Sequence, residues 1–431
     1  MIKCKKCGFK GNPDGAKDCE KCGGEDLVRL CSCGCELKLH WIMCPECKKP
    51  VTEDGAKEPR KCSCGEPLED RMDVCPACGK AVGKGAAANA EPMDEAMDDI
   101  EQKYSAEAVV CFKRGQDLDD NEDYEGAIRE YSKAIELEPD FAEAYGERGY
   151  TYTNQDDFDS AIKDLTKAIG LNPDDADSYY WRAQAFRGQE DYATAIADYT
   201  RAIQIDPEYE LAFLGRGLAY QENGDYAAAI KDFSKTIRLD PENYVALFAR
   251  GNVYHKQGEY DLATNDYTET MRLRTDDDVI LYEQRALSYF LQDDFDAAIK
   301  DLTKAIGLNP DNDFSYFCRG QCYFGKEKYA SAIKDFSKAI KINDNEYRYY
   351  KERANAYHED ENYDAAVSDF TQAIEMSEED DNVSKEAWAE LFNARGITYT
   401  WLDDDEMAQS DFEQAVALDP NNSEYRKNLE D

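Results

Sequence analysis

Thirteen of the 16 cysteines lie before residue 80, and twelve of these fall into three spaced sets. The first set is Cys4-x2-Cys7 followed by Cys19-x2-Cys22. The second is Cys31-x-Cys33 followed by Cys44-x2-Cys47, and the third is Cys62-x-Cys64 followed by Cys75-x2-Cys78. Two close pairs at this separation can bring four thiolates to one tetrahedral ion. Gly8, Gly23, Gly34, Gly65 and Gly79 follow the pairs closely, where the turn around an ion favours positive φ. Sets two and three superimpose at an offset of 31 residues. Cys35 has no thiol counterpart in set three, where Glu66 stands, and is read as a spare thiol. His40, beside Trp41, is read as a packed ring rather than a ligand.

The CxxC–CxxC pattern of the first set resembles the small bacterial zinc-ribbon modules, and the resemblance covers about a fifth of the chain. Sets two and three depart from it by opening on CxC. The resemblance implies up to three structural Zn2+ ions, with ribbons at 1–29, 30–55 and 56–80. A rubredoxin-like iron site around Cys75 is the alternative, which the short gap between pairs disfavours. Four-thiolate sites leave no open coordination position for catalysis. Each segment is also too short to build a core without a metal staple.

Nothing else in the chain has a catalytic pattern. The three histidines are His40, His255 and His358, none placed with a nucleophile or paired acid. Cys111, Cys318 and Cys322 suit small apolar core roles. The expectation is a non-enzyme with no catalytic residues. Residues 1–84 carry a formal charge of +2, which leaves −43 on the remainder of a chain whose total is −41. So acidic a body repels phosphate backbones. Lys3, Lys5, Lys6, Lys10, Lys48 and Lys49, with Phe9 and Trp41, keep open a nucleic-acid contact through residues 1–84. No apolar stretch reaches the 18 residues that a membrane span needs. The start lacks a signal-peptide pattern, so the reading is cytoplasmic and reduced, which favours metal over disulfides.

These sets are followed by a glycine-rich linker and an acidic capping helix, at 81–104. Beyond it the stretch Gln155 to Asp174 returns at Gln292 to Asp311 with a single change, Ser160 to Ala297. The offset is four periods of 34 residues plus one. Nine units align, at 108–141, 142–175, 176–209, 210–243, 244–278, 279–312, 313–346, 347–388 and 389–422, with a tail at 423–431. Position 8 of each unit is Gly or Ala, position 20 is always Ala, and position 24 is Tyr, Phe or Leu. Position 32 is proline in six units. Apolar residues at 4, 8 and 11, then at 17, 20, 21, 24 and 28, have helical spacing. Each unit therefore reads as two antiparallel helices, close because 8 and 20 are small. Residues 347–388 include an acidic insertion around Glu378 to Asp381.

In these positions the units resemble the tetratricopeptide repeat. The resemblance implies an all-α, right-handed superhelix of helix-turn-helix repeats, with a concave face that binds a protein or peptide. Position 7 departs from the family, being arginine in every unit, and position 23 is acidic in every unit. An Arg–carboxylate ladder between helices or units is expected. By resemblance, positions 2, 5, 9 and 12 of the first helices line the groove. Its candidate residues are Tyr150, Tyr180, Arg187, Leu214, Phe248, Asn252, Phe290, Phe317, Phe324, Lys351 and Asn355. Leu211 and Phe314 share this stripe. The alternative is that the stripe packs between neighbouring first helices. Lys351 and Asn355 match the start of the family's carboxylate clamp, but Ala394 stands where its next asparagine belongs. Unit nine has Asp405 at the aromatic position 17, and its tail offers only Tyr425 and Leu429 as cover. That leaves an end face open to homodimerisation.

The function expected is a scaffold whose groove holds a protein or peptide while the ribbons add a second surface. The alternative is a regulator whose ribbons touch DNA or RNA while the repeats recruit protein.

Overall fold

The computed structural model describes residues 100–274, 277–378 and 383–430, and the backbone of four short strands near the N-terminus. The chain divides into two compact units, Met1–Val110 and Cys111–Asp431.

In the first unit, β1 (Ile2–Cys4), β2 (Lys10–Gly11), β3 (Leu27–Leu30) and β4 (Glu36–Leu37) form one antiparallel sheet of order β2-β1-β3-β4. Ile2 pairs with Gly11 on one side and Arg29 on the other. The sheet thus runs across the boundary expected between the first two ribbons. Residues 100–103 are helical.

From residue 106 onward, across the division at Val110, the chain is a run of helix pairs. The first helices are α1 (Ala106–Asp119), α3 (Ala142–Asn154), α5 (Ala176–Gly188), α7 (Glu210–Glu222), α9 (Tyr244–Lys256), α11 (Val279–Phe290), α13 (Asp313–Gly325), α15 (Tyr347–Glu359) and α17 (Lys385–Thr400). The second helices are α2 (Tyr124–Leu137), α4 (Phe158–Leu171), α6 (Tyr192–Ile205), α8 (Tyr226–Leu239), α10 (Tyr260–Leu273), α12 (Phe295–Leu308), α14 (Tyr329–Ile342), α16 (Tyr363–Glu378) and α18 (Asp405–Leu418). A final helix, α19 (Ser423–Glu430), packs on α18.

Each pair is fixed by a few residues. The turn residue at position 15 has positive φ in all nine units, and only Gly224 and Gly258 are glycines. An aspartate usually follows and caps the second helix: Asp157 accepts from the Ser160 amide, and Asp294 from the Ala297 amide. The large side chain at position 24 lies across the small one at position 8. A Cβ added at Gly217 would sit 2.7 Å from the Phe233 ring, and one at Gly320 2.6 Å from Phe336. Phe233, Phe336, Leu165 and Leu302 are fully buried or nearly so, each worth roughly 1.5–3 kcal/mol of apolar transfer.

Every first helix from α3 to α17 also packs on the preceding unit's second helix. No unit closes its core alone, which is the solenoid condition. At the C-terminal end, Tyr425 of α19 is buried with Ala389 and Ala415, and Asn428 donates to Asn393 at 2.9 Å. Short as it is, the tail covers part of the last unit.

Candidate functional site

The arginines at position 7 form a repeated polar seam. In units two to nine each sends Nε to one oxygen of the position-23 aspartate at 2.6–2.8 Å and Nη2 to the other at 2.8–3.0 Å. The pairs run from Arg148–Asp164 to Arg395–Asp411, and both partners are largely buried. The third donor, Nη1, reaches back to a hydroxyl on the preceding unit's second helix at 2.8–3.1 Å. Those hydroxyls are Ser132, Thr166, Thr200, Ser234, Thr268, Thr303, Ser337 and Thr371, all at position 25. Aromatic rings flank the guanidinium, as Phe213 and Tyr220 do at Arg216.

The expected ladder is therefore bidentate within a unit and also ties each unit to the one before. Sequence reasoning missed the hydroxyl. The signal was present, because position 25 is Ser or Thr in the eight units that have a successor and Glu413 in the last. Unit one breaks the expectation of a pair in every unit. There Glu130 bonds Lys133 at 2.5 Å, and Arg114 is exposed. The longer glutamate reaches its own helix instead.

The first-helix stripe is more engaged than an open groove would be. Tyr180 and Phe317 are buried, against Trp181, Tyr199 and Tyr209 and against Phe336 and Tyr349 respectively. Phe248 packs on Tyr267, Phe290 on Phe295, Phe324 on Tyr329, and Tyr150 on Trp181. Leu214 is half-buried beside the Phe233 cluster. Asn252 accepts from the Tyr267 hydroxyl at 2.8 Å, and Arg187 donates to Gln184 at 3.1 Å. Lys351 is paired with Glu390 of the next unit at 2.7 Å, and Asn355 lies 3.5 Å from Glu352.

Several joints are pinned between first helices themselves, Ser315 donating to Glu283 and Tyr349 to Asp313 among them. Thr151 donates to Asp119 at 3.0 Å, while His255 Nδ1 lies 2.8 Å from the Ser288 oxygen and His358 Nδ1 3.1 Å from that of Thr398. Burial lowers the pKa of both imidazoles. Exposed apolar side chains occur at several places, but one position repeats, position 2: Leu211 is 45 % exposed, Val245 43 %, Ile280 57 % and Phe314 40 %. Val245 and Ile280 were missed in the sequence, because small aliphatics at a helix start read as ordinary turn residues.

The side chains of the twelve zinc-assigned cysteines, Cys35, His40 and the basic residues of 1–84 lie outside the described residues. Among the described residues no group of three or more His, Cys, Asp or Glu could hold a metal ion. Cys318 and Cys322 are buried, and burial raises both thiols, that of Cys322 to about 12, so they sit protonated in the core. No helix among the described residues is long and apolar enough to cross a membrane.

Stacked helix pairs of this length, each completing its neighbour's core, define an α-solenoid. Models of the tetratricopeptide repeat match residues 115–156, 147–210, 214–270, 279–312, 314–346, 347–380 and 389–422, well over half of the sequence. The chain belongs to the tetratricopeptide-repeat proteins.

Among solved structures, the C-terminal part of a tetratricopeptide repeat-containing protein from Cytophaga hutchinsonii is 21% identical. It aligns over 58% of this chain and 99% of that one with a TM-score of 0.50. A tetratricopeptide repeat protein from Parabacteroides merdae is 22% identical over 60% and 98% of the two chains, with a TM-score of 0.43. The MamA protein is 27% identical over 40% and 94%, with a TM-score of 0.38. No curated protein matches the chain.

Proposed function

We propose that this protein is a non-enzymatic interaction scaffold whose first-helix face holds a peptide or protein segment. The observation that carries this reading is the row Leu211, Val245, Ile280 and Phe314. Four successive units leave a large apolar side chain exposed at the same helix position. About half of each side chain stays open to solvent, and repeated exposure at one register is a feature of docking faces. In an otherwise strongly acidic chain, this row gives apolar contact while charge sets the rim.

The N-terminal segment adds zinc-stapled ribbons, with up to three Zn2+ ions held by the three cysteine sets. β1 ends at Cys4 and its antiparallel partner β2 begins at Lys10. Cys4 therefore closes a paired strand, the place from which a metal knuckle would start. Metal analysis of the purified full chain should find zinc, in a ratio that falls when the cysteines of one set are changed to serine. A metal-free, folded chain would remove the zinc reading.

The docking reading is tested with a photo-crosslinking residue placed at Val245 or Phe314, and at Leu308 on a second helix as control. Crosslinks from the first two positions, lost on Ile280→Arg, support it. Equal crosslinking from Leu308 overturns it.

A further inference from the structure

Units one to three carry an unusual polar site on their first helices. Glu147 of α3 is partly buried and accepts one hydrogen bond, from the Gln116 amide at 3.4 Å. The charged groups that act on it come from the two neighbouring first helices and all are acidic: Asp119 at the end of α1, and Asp175 and Asp177 at the start of α5. Asp119 accepts from Thr151 at 3.0 Å. Asp175 caps α5, accepting from the amides of Asp177 and Ser178. Asp177, which is exposed, accepts from the Tyr209 hydroxyl.

Tyr131 of α2 points into this group. Its side chain is fully buried, and its ring lies across Gly115, where an added Cβ would sit 2.5 Å away. Its hydroxyl has no hydrogen-bond partner. The charges that reach that hydroxyl are Glu147, Asp119 and Asp120.

Comparable units show what is missing. In unit three the tyrosine at the same position, Tyr199, donates to the Gln184 side chain at 2.7 Å. In unit five Tyr267 donates to Asn252 at 2.8 Å. The corresponding amide in unit one is Gln116, and it is turned toward Glu147 instead. A buried hydroxyl left unpaired costs on the order of 1–3 kcal/mol, as does a carboxylate confined among carboxylates without a cation.

A group carrying several N–H donors and a positive charge answers both deficits at once. We propose that this site binds a lysine or arginine side chain of the partner peptide that lies along the first helices. Its N–H groups donate to Glu147 and to the Tyr131 oxygen, and Asp119 and Asp177 complete the neutralisation at the solvent side. A metal ion fits less well, since these acids do not converge as a metal-binding group. This rests on the docking reading above and supplies the chemistry of one partner position.

Burial, reinforced by the three acids, pushes the Glu147 carboxyl up to about 7. The cation must displace that proton at low pH and meets a ready carboxylate at high pH. Binding therefore tightens as pH rises from about 6 to 8, by up to one proton's worth, about tenfold.

The test uses the full chain and a fluorescein-labelled peptide of Leu, Ser and Gly with two arginines. An identical peptide carrying neutral, isosteric citrulline in their place is the control. Both are read by fluorescence anisotropy at physiological ionic strength, to screen the chain's bulk charge. The arginine peptide should bind about tenfold tighter. Glu147→Gln should erase that preference and its pH dependence, and leave citrulline binding unchanged. Tyr131→Phe keeps the ring and should weaken arginine binding about threefold. Asp364→Asn, on a second helix, should change nothing.

A preference for arginine that survives Glu147→Gln and Tyr131→Phe in chains of unchanged circular dichroism overturns the site, as does equal binding of the two peptides. If Phe314→Glu abolishes binding of both peptides while Glu147→Gln alters neither, the docking face stands and this site falls. If Phe314→Glu has no effect while the arginine preference tracks Glu147, the reverse holds.

Discussion

Helices α4 and α12 differ at one residue in fourteen, Ser160 against Ala297, yet they sit in parts of the molecule with different chemistry. Their outer surroundings are the same. Both are capped by an aspartate, both bury two alanines and a leucine, and both hold the fork of an arginine sixteen residues earlier. Their threonines, Thr166 and Thr303, each accept from the next unit's arginine at 3.1 Å. The first helices packed on them diverge. Unit two places Glu147 at position 6, where unit six has Gln284, and Gly149 at position 8, where unit six has Ala286. Second helices thus hold the units in register, and first helices differentiate the surface.

The comparison is tested most severely at the buried fork. Asp164→Ala and Asp301→Ala each strand a buried guanidinium, and each should cost about 3 kcal/mol. Hydrogen exchange of the affected unit reads this better than a global melt, because repeat arrays open locally. A gap above about 1 kcal/mol between the two would show that the outer surroundings are not equivalent.

The second test changes an inner residue into its counterpart. Glu147→Gln should stabilise unit two at high pH by on the order of 1–2 kcal/mol, discounted for partial exposure. The sign follows from the raised pKa. Well below 4.5 folded and unfolded chains both hold the proton, and the residue contributes nothing. As pH rises toward about 7 the unfolded chain ionises first and stability drops, and above that the full cost remains. The advantage of the glutamine should be absent at pH 4 and present at pH 8 in urea unfolding. An advantage independent of pH would assign it to packing.

The smallest effect is at the hydroxyl. Thr166→Val and Thr303→Val each remove one exposed hydrogen bond to the following arginine, for about 0.5 kcal/mol. The loss should appear in the exchange of the joint and not in the fork.

The sequence made the repeats legible because its main slots have a reason repeated nine times: a small residue at positions 8 and 20, a large one at position 24, an arginine at 7 with an acid at 23. It made the fork legible for the same reason. The backward bond to position 25 was harder to see, since Ser and Thr on a helix surface look like solvated residues until a donor from the next unit is placed over them. The groove was legible only as a stripe. Whether Tyr180 or Val245 is the open side chain depends on how far each aromatic ring leans onto its neighbour, and spacing does not encode that. Tyr131 read as one more core tyrosine, because its lost partner is a matter of which way Gln116 turns.

The reach of the arginine seam has a consequence for how such a chain can change length. Inside a unit the fork spans sixteen residues each time, from Arg148–Asp164 to Arg395–Asp411. Across a joint the same arginine meets its hydroxyl at a separation of sixteen residues in most cases, seventeen at Thr268–Arg285 and twenty-four at Thr371–Arg395. The contact tolerates added chain between units and admits none within them. Insertions, tags or whole extra copies should therefore be accepted where one unit hands over to the next, and rejected in the turn between its two helices.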